Sequence, residues 1–206
     1  MVPKLLDMFF PPSPSEKRIA SVPYLVPQPQ TIASSSGTKI LSCAAYSEPD
    51  VHAAILLLKK HGNPTAAKLL ATLLTDVLLE ELSERDTWNP KQTVIIPMPM
   101  SAKRKRQRGF NHVAKICTFL PRELQDRVVT TALIQTKHVP MQKTLTREER
   151  FTNVRGIFTF SHKEKIEGAH IVVIDDVVTT GATLDEATRT LQQEGFEVTA
   201  VALARA

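Results

Sequence analysis

Residues Ile171–Leu184 read IVVIDDVVTTGATL, and the reading of this stretch decides the fold. IVVI is β-branched, apolar and uninterrupted, as in a strand covered on both faces. Two adjacent acids follow, Asp175 and Asp176, and then a turn, Thr179-Thr180-Gly181-Ala182-Thr183, that feeds a helix expected over Leu184–Gln193. Ligands of open α/β sheets bind at the carboxyl ends of such strands. A turn of this composition aims backbone N–H groups and hydroxyls at one point, and the helix dipole behind it favours an anion. The loop therefore offers a phosphate cradle with two carboxylates beside it. Carboxylates repel phosphate, so their partners are hydroxyls or a hydrated Mg²⁺. A phosphate, sugar hydroxyls and Mg²⁺ together describe a phosphorylated ribose.

The string DDVVTTGAT resembles the phosphoribosyl pyrophosphate (PRPP) motif of type I phosphoribosyltransferases. That resemblance implies that Asp175 and Asp176 hold the ribose hydroxyls and Mg²⁺. It also implies that Thr179, Thr180, Gly181, Ala182 and Thr183 bind the 5′-phosphate. Two further segments are similar to the ComF family of phosphoribosyltransferase-like proteins, linked to bacterial competence and DNA uptake. They are Val94–Asn111, VIIPMPMSAKRKRQRGFN, and Gln142–Phe158, QKTLTREERFTNVRGIF. The residues that carry the likeness are Pro97, Pro99, Arg108-Gly109-Phe110-Asn111, then Gln142, Leu145, Arg150, Asn153 and Phe158. Leu5–Pro12, LLDMFFPP, also resembles the family's opening, and the likeness runs through most of the chain from Leu41 onward. One departure is clear. Family members commonly carry a four-cysteine zinc module after that opening, whereas this chain's only cysteines are Cys43 and Cys117, so no zinc ribbon is expected.

By resemblance, Met98–Arg108 is the pyrophosphate loop, with Ser101, Lys103, Arg104, Arg106 and Arg108 as its contacts. Arginine suits this role because its fork bonds two phosphate oxygens at once. The same basic run, which includes Lys105, also reads as a nucleic-acid patch, and a basic groove binds both. Gln142–Asn153 corresponds to the flexible catalytic loop of the superfamily, with Arg147, Arg150 and Asn153 as phosphate contacts. The catalytic set implied is Asp175, Asp176, Arg147 and Arg150. The reaction implied is displacement at the ribose anomeric carbon: Mg²⁺ and basic residues stabilise pyrophosphate as it leaves, and the nitrogen of a base bonds to the carbon in its place. Purine-type relatives often carry an acid where this chain has Thr179, which argues against a 6-oxopurine acceptor. Three readings stay open: a Mg²⁺-dependent phosphoribosyltransferase, a PRPP-binding regulator without turnover, and a competence protein that contacts DNA.

Composition bounds these readings. The chain has 206 residues, 42% of them hydrophobic, enough for one α/β domain with an appendage. The expected fold is the type I phosphoribosyltransferase fold, a mostly parallel central sheet flanked by helices, over residues 39–206. Residues 1–38 are expected to form an extended arm. The net charge of +5 fits an anionic ligand. Two cysteines suit a reducing cytoplasm. No apolar run approaches the roughly 20 residues of a membrane helix, and the start makes a poor signal peptide. The sequence is compatible with an oligomer and with partners in DNA uptake.

Along the chain, Pro11–Gly37 reads as an extended linker and Lys39–Tyr46 as a strand. Asp50–Lys60 reads as a helix capped by Asp50, followed by a second helix from Asn63 and Pro64 to Leu82. In that helix Leu69, Leu70, Leu73, Leu74, Val77 and Leu78 recur at core spacing. Strands are expected at Thr93–Ile96, Ala132–Gln135, His170–Ile174 (the central one) and Val198–Leu203. Helices are expected at Phe110–Phe119 and Ala182–Gln193, with a long loop at Lys137–Thr152 and weak alternation at Arg155–Phe160. No histidine is singled out, and His112 reads as a surface residue at a helix start.

Overall fold

In the computed structural model, the structure describes residues 12–34, 36–83, 93–137, 153–161, 166 and 168–206, the side chains of 81 and 82 excepted. The described strands are β1 (Gln30–Ala33), β2 (Lys39–Ser42), β3 (Thr93–Pro97), β4 (Leu133–Gln135), β5 (Phe158–Phe160), β6 (His170–Val178) and β7 (Glu197–Arg205). The helices are α1 (Pro14–Ser21), α2 (Pro49–His61), α3 (Pro64–Ser83), α4 (Ala102–Arg108), α5 (His112–Cys117), α6 (Arg122–Gln125) and α7 (Ala182–Gln192). The main sheet runs β1-β2-β7-β6-β3. Its pairs are parallel except the edge pair β1–β2. β4 and β5 form a separate antiparallel pair. This is the expected mostly parallel sheet flanked by helices.

Alternation along the strands sends neighbouring side chains to opposite faces. Val172 and Ile174 of β6 and Val201 and Leu203 of β7 pack on one face, against α2, α3 and α5. The leucines of α3 read from the sequence as core belong to this layer. Ile171 and Val173 pack on the other face, against Leu184, Ala187 and Leu191 of α7 and Leu133 and Phe158 of the small sheet. Cys43 and Cys117 are both buried, and burial pushes both thiols up.

Several expectations need correction. β6 does not end at Ile174 but continues through both acids, with Asp175 opposite Ala202 and Val177 opposite Ala204. Val177 and Val178 are good strand formers, and β7 extends far enough to pair with them. β6 is an interior strand, while β7 takes the middle place. The segment expected as an extended linker holds α1 and the edge strand β1. Ser13 and Glu16 close a capping box with Pro14 in the first turn, and Ile19 and Leu25 anchor the segment in the core. Asp50 is not a cap. Glu48 holds that position without a side-chain bond, and Asp50 pairs with Arg18 of α1. Asn63 caps α3 as expected, accepting from the Ala66 N–H at 3.0 Å. The strand expected at Ala132–Gln135 joins β5 rather than the main sheet. Most of the expected Lys137–Thr152 loop, including Arg147 and Arg150, lies outside the described residues. Among the described residues, no helix is long and apolar enough to cross a membrane.

Candidate functional site

The carboxyl ends of β3 and β6 open onto a cavity of about 510 Å³. Its wall includes Met98–Met100, residues of α4 and α5, the turn from Thr179 to Leu184, Gln135 of the small sheet, and Asn153, Val154 and Ile157 just before β5. All five residues of the expected cradle line it. Gly181 caps α7 with φ +80°, a left-handed conformation that only glycine adopts cheaply. The Thr180 hydroxyl accepts from the Ala182 N–H at 3.4 Å, which closes the turn on itself. α7 is 11 residues long, so its dipole is developed where the turn meets the cavity.

The two acids differ sharply, and strand alternation is the reason. Asp176 points toward the layer of α2 and α5. Its Oδ2 accepts from Lys59 Nζ at 2.8 Å and from His112 Nε2, and its Oδ1 accepts from the Val177 N–H at 2.5 Å. Burial opposes its charge, but His112 and Lys59 outweigh burial and hold the carboxyl well below the usual range. Asp175 meets no such cations at bonding distance. Its Oδ1 accepts from the Asp176 N–H at 2.8 Å, and among the described residues nothing else bonds to it. Burial, and then the Asp176 charge, push the Asp175 carboxyl up to about 7. A carboxylate in this state gains from any cation or hydroxyl donor brought beside it.

The basic run is not a single loop. Ser101 caps α4, accepting from the Arg104 N–H at 3.4 Å, and Ala, Lys, Arg and Gln are all good helix formers. Helical spacing then sorts the cations. Arg104 and Arg108, four residues apart, line the cavity, whereas Lys103, Lys105 and Arg106 are exposed and lie outside its lining. Burial and the Arg108 charge pull the Arg104 guanidinium below its ordinary value, with Asp175 and Asp176 opposing. The RGFN string has a structural account. Gly109 ends α4 at φ +81°. Asn111 caps α5 and donates to the Met98 carbonyl at 2.9 Å. Phe110 packs near Gly62 under Lys115.

His112 is the principal miss. It is 8% exposed, not a surface residue. Its Nε2 donates to Asp176 while its Nδ1 accepts from Arg108 Nη1 at 3.3 Å. It therefore links the acid to the arginine. Lys59, also missed, sits in the run Lys59-Lys60-His61 at the end of α2, where composition alone does not say which cation turns inward. Among the described residues, no group of three or more His, Cys, Asp or Glu could hold a metal ion. Any cation at Asp175 would thus depend on water and ligand oxygens for most of its coordination.

Comparison with known proteins bears on the family and the fold. The family model for the phosphoribosyl transferase domain matches residues 110–206. The DNA utilization protein YhgH of Escherichia coli O6:H1 is 32% identical over 158 residues, covering 76% of this chain and 67% of the relative. Competence protein F of Haemophilus influenzae is 32% identical over 104 residues, 50% of this chain and 45% of the relative. Competence protein ComFC of Bacillus subtilis is 34% identical over 105 residues, 51% of this chain and 40% of the relative.

Proposed function

Because the chain belongs to the ComF family of the phosphoribosyltransferase superfamily, we propose that it binds Mg²⁺-PRPP in this cavity and transfers phosphoribose to a nitrogenous base. The observation that carries the reading is the convergence of three anion and hydroxyl sites on one cavity. The Gly181 turn at the start of α7 suits the 5′-phosphate. Asp175 suits the ribose hydroxyls. Arg104 and Arg108 suit the pyrophosphate.

The donor set tests whether a metal fits. Mg²⁺ favours carboxylate oxygens, keeps several waters and shares substrate phosphates. Asp175 meets that description: it is half-buried in the cavity wall, and among the described residues only one of its oxygens is hydrogen-bonded. Asp176 does not, because the Lys59 ammonium stands 2.8 Å from its Oδ2. Asp175 would therefore hold the ion, which when bound would supply positive charge to the departing pyrophosphate. The chain's own residues do the rest. The cradle fixes one end of PRPP, and Arg104 and Arg108 fix the other, so the anomeric carbon is held in place between them. The C1′–O bond breaks with its electrons passing to pyrophosphate, where both guanidiniums stabilise the developing charge. The base nitrogen forms the new bond to C1′ and loses its proton to solvent. Asp176, fixed by Lys59 and His112, orients rather than reacts.

The experiment is pyrophosphate release from PRPP over a panel of nucleobases with Mg²⁺. Turnover with one base, lost in Asp175→Asn, supports transfer. Binding of PRPP without turnover over the whole panel leaves a PRPP-dependent regulator instead. The names of the relatives link the family to competence and DNA utilisation, and we extend that process to this chain. The exposed Lys103, Lys105 and Arg106 favour a nucleic-acid contact on the outer face of α4, apart from the cavity.

A further inference from the structure

Behind the cradle lies a polar cluster that neither the ligand contacts nor the family motifs use. Asp185, in the first turn of α7, accepts three hydroxyl bonds on one oxygen. Ser34 donates at 3.0 Å, and Ser36 and Thr38 donate as well. All three hydroxyls belong to the turn between β1 and β2. The Ser34 hydroxyl also accepts from the Thr38 N–H at 3.0 Å, and the Ser34 N–H donates to the Thr38 carbonyl at 2.9 Å, so the turn is internally closed. Ser34 is 7% exposed. The same turn packs against the cradle. A Cβ built on Gly181 would lie 3.0 Å from Ser34 Cβ and 2.8 Å from Ile40 Cδ1 of β2. Gly181 thus has the β1–β2 hairpin as its back wall, and Asp185 is the group that binds this wall to α7.

We propose that Asp185 is a positioning residue for the phosphate cradle. It acts through Ser34, Ser36 and Thr38, which hold the hairpin against Gly181 and so keep the Thr179–Thr183 turn in its binding geometry. A carboxylate suits this task because a hydrogen bond to a charged acceptor is stronger than a neutral one. Its charge also complements the amino end of α7, and the hydroxyls keep that charge turned toward the hairpin. The segment holding these hydroxyls, with no periodic apolar pattern of its own, is then a working part of the site. The inference rests on the reading of the Gly181 turn as the 5′-phosphate site.

The test separates the two ends of the cavity. Ribose 5-phosphate probes the cradle, and inorganic pyrophosphate probes Arg104 and Arg108. Calorimetric titration of the full chain with each would compare wild type with Asp185→Ala, Thr38→Val and Thr38→Ser. Asp185→Ala is expected to weaken ribose 5-phosphate about tenfold, the equivalent of one charge-assisted hydrogen bond, and to leave pyrophosphate within about twofold. Thr38→Val, nearly isosteric but without the hydroxyl, should weaken ribose 5-phosphate in the same direction, and Thr38→Ser should restore it. Equal weakening of both ligands would mean general damage and would overturn the assignment, as would unchanged affinity for both. Should Asp185→Ala fail to fold, the Thr38 pair decides alone. A wild-type chain that binds pyrophosphate but not ribose 5-phosphate would overturn the cradle reading itself, and the inference with it.

Discussion

Replacing Gly181 by Ala tests the geometry of the cradle directly, and Gly195 supplies the control. Both glycines have left-handed backbone, at φ +80° and φ +85°. A Cβ there costs roughly 1–2 kcal/mol, part of which is offset by the stiffer unfolded chain, leaving about 1 kcal/mol. Nothing lies within 4 Å of a Cβ on Gly195, so Gly195→Ala should lose only that amount. On Gly181 the new methyl would meet Ile40 Cδ1 at 2.8 Å and Ser34 Cβ at 3.0 Å. Ile40 is 0% exposed and Ser34 is tied to Asp185, so neither yields easily. Overpacking of this kind adds roughly 1–3 kcal/mol, for about 2–4 kcal/mol in total. At roughly 2–4 °C per kcal/mol, Gly181→Ala should lower Tm by about 4–16 °C and Gly195→Ala by about 2–4 °C. Calorimetric melting of the two variants beside wild type measures both. Equal shifts would mean that the hairpin does not press on the cradle, and the argument from close approach would fail.

Asp175 gives a pH-dependent prediction. Its folded carboxyl is pushed up from 3.8 to about 7, so between those values the folded state holds the proton that the unfolded chain has lost. Stability therefore falls as pH rises through that window. Asp175→Asn removes the loss, so its Tm should exceed that of wild type at pH 8 and approach it near pH 4; a constant difference across melts at both pH values would contradict the assignment. Asp176 behaves oppositely, because a depressed carboxyl contributes stability above the ordinary carboxylate range and loses it as pH falls further. Asp176→Asn should cost about 1–3 kcal/mol at pH 7, since Lys59 and His112 lose the negative charge of their shared acceptor, and urea unfolding would register it. Arg104→Gln and Arg108→Gln should each weaken pyrophosphate about tenfold or more, while Lys103→Gln and Arg106→Gln should leave it nearly unchanged in the same titration. If all four weakened it alike, long-range charge rather than cavity contacts would govern binding.

The legible parts of the chain were those where local chemistry and tertiary structure agree. A continuous β-branched run, a glycine turn and a following helix carry their signal within Ile171–Leu184, and the Gly181 turn joins strand to helix where that stretch puts it. Asn63 and Pro64 likewise announce the start of α3. The extent of β6 was not legible, because it depends on how far β7 runs beside it, and that pairing is nonlocal. The consequence reaches the site. Acids inside a strand diverge to opposite faces, so Asp175 and Asp176 are not equivalent, although adjacent in sequence they read as a pair. Lys59 and His112 were hidden for a related reason, since only helix packing turns them toward Asp176. α1 was missed although Ser13, Pro14 and Glu16 spell a capping box, because its single buried residue, Ile19, is too few to show a period. The helical sorting of Arg104 and Arg108 from Lys103 and Arg106 needed only the recognition that the basic run is a good helix former.

The central claim is that this cavity binds Mg²⁺-PRPP through Asp175 and the Gly181 turn. A thermal melt with and without Mg²⁺-PRPP, on wild type beside Asp175→Asn, tests it most directly. Ligand at roughly 100 times its Kd adds about 2.7 kcal/mol. For a domain of this size that is a rise of roughly 5–11 °C. The account predicts that rise in wild type, its loss on chelating Mg²⁺, and its absence in Asp175→Asn. A cooperative wild-type melt that does not move with Mg²⁺-PRPP, or a shift that survives in Asp175→Asn, would contradict it.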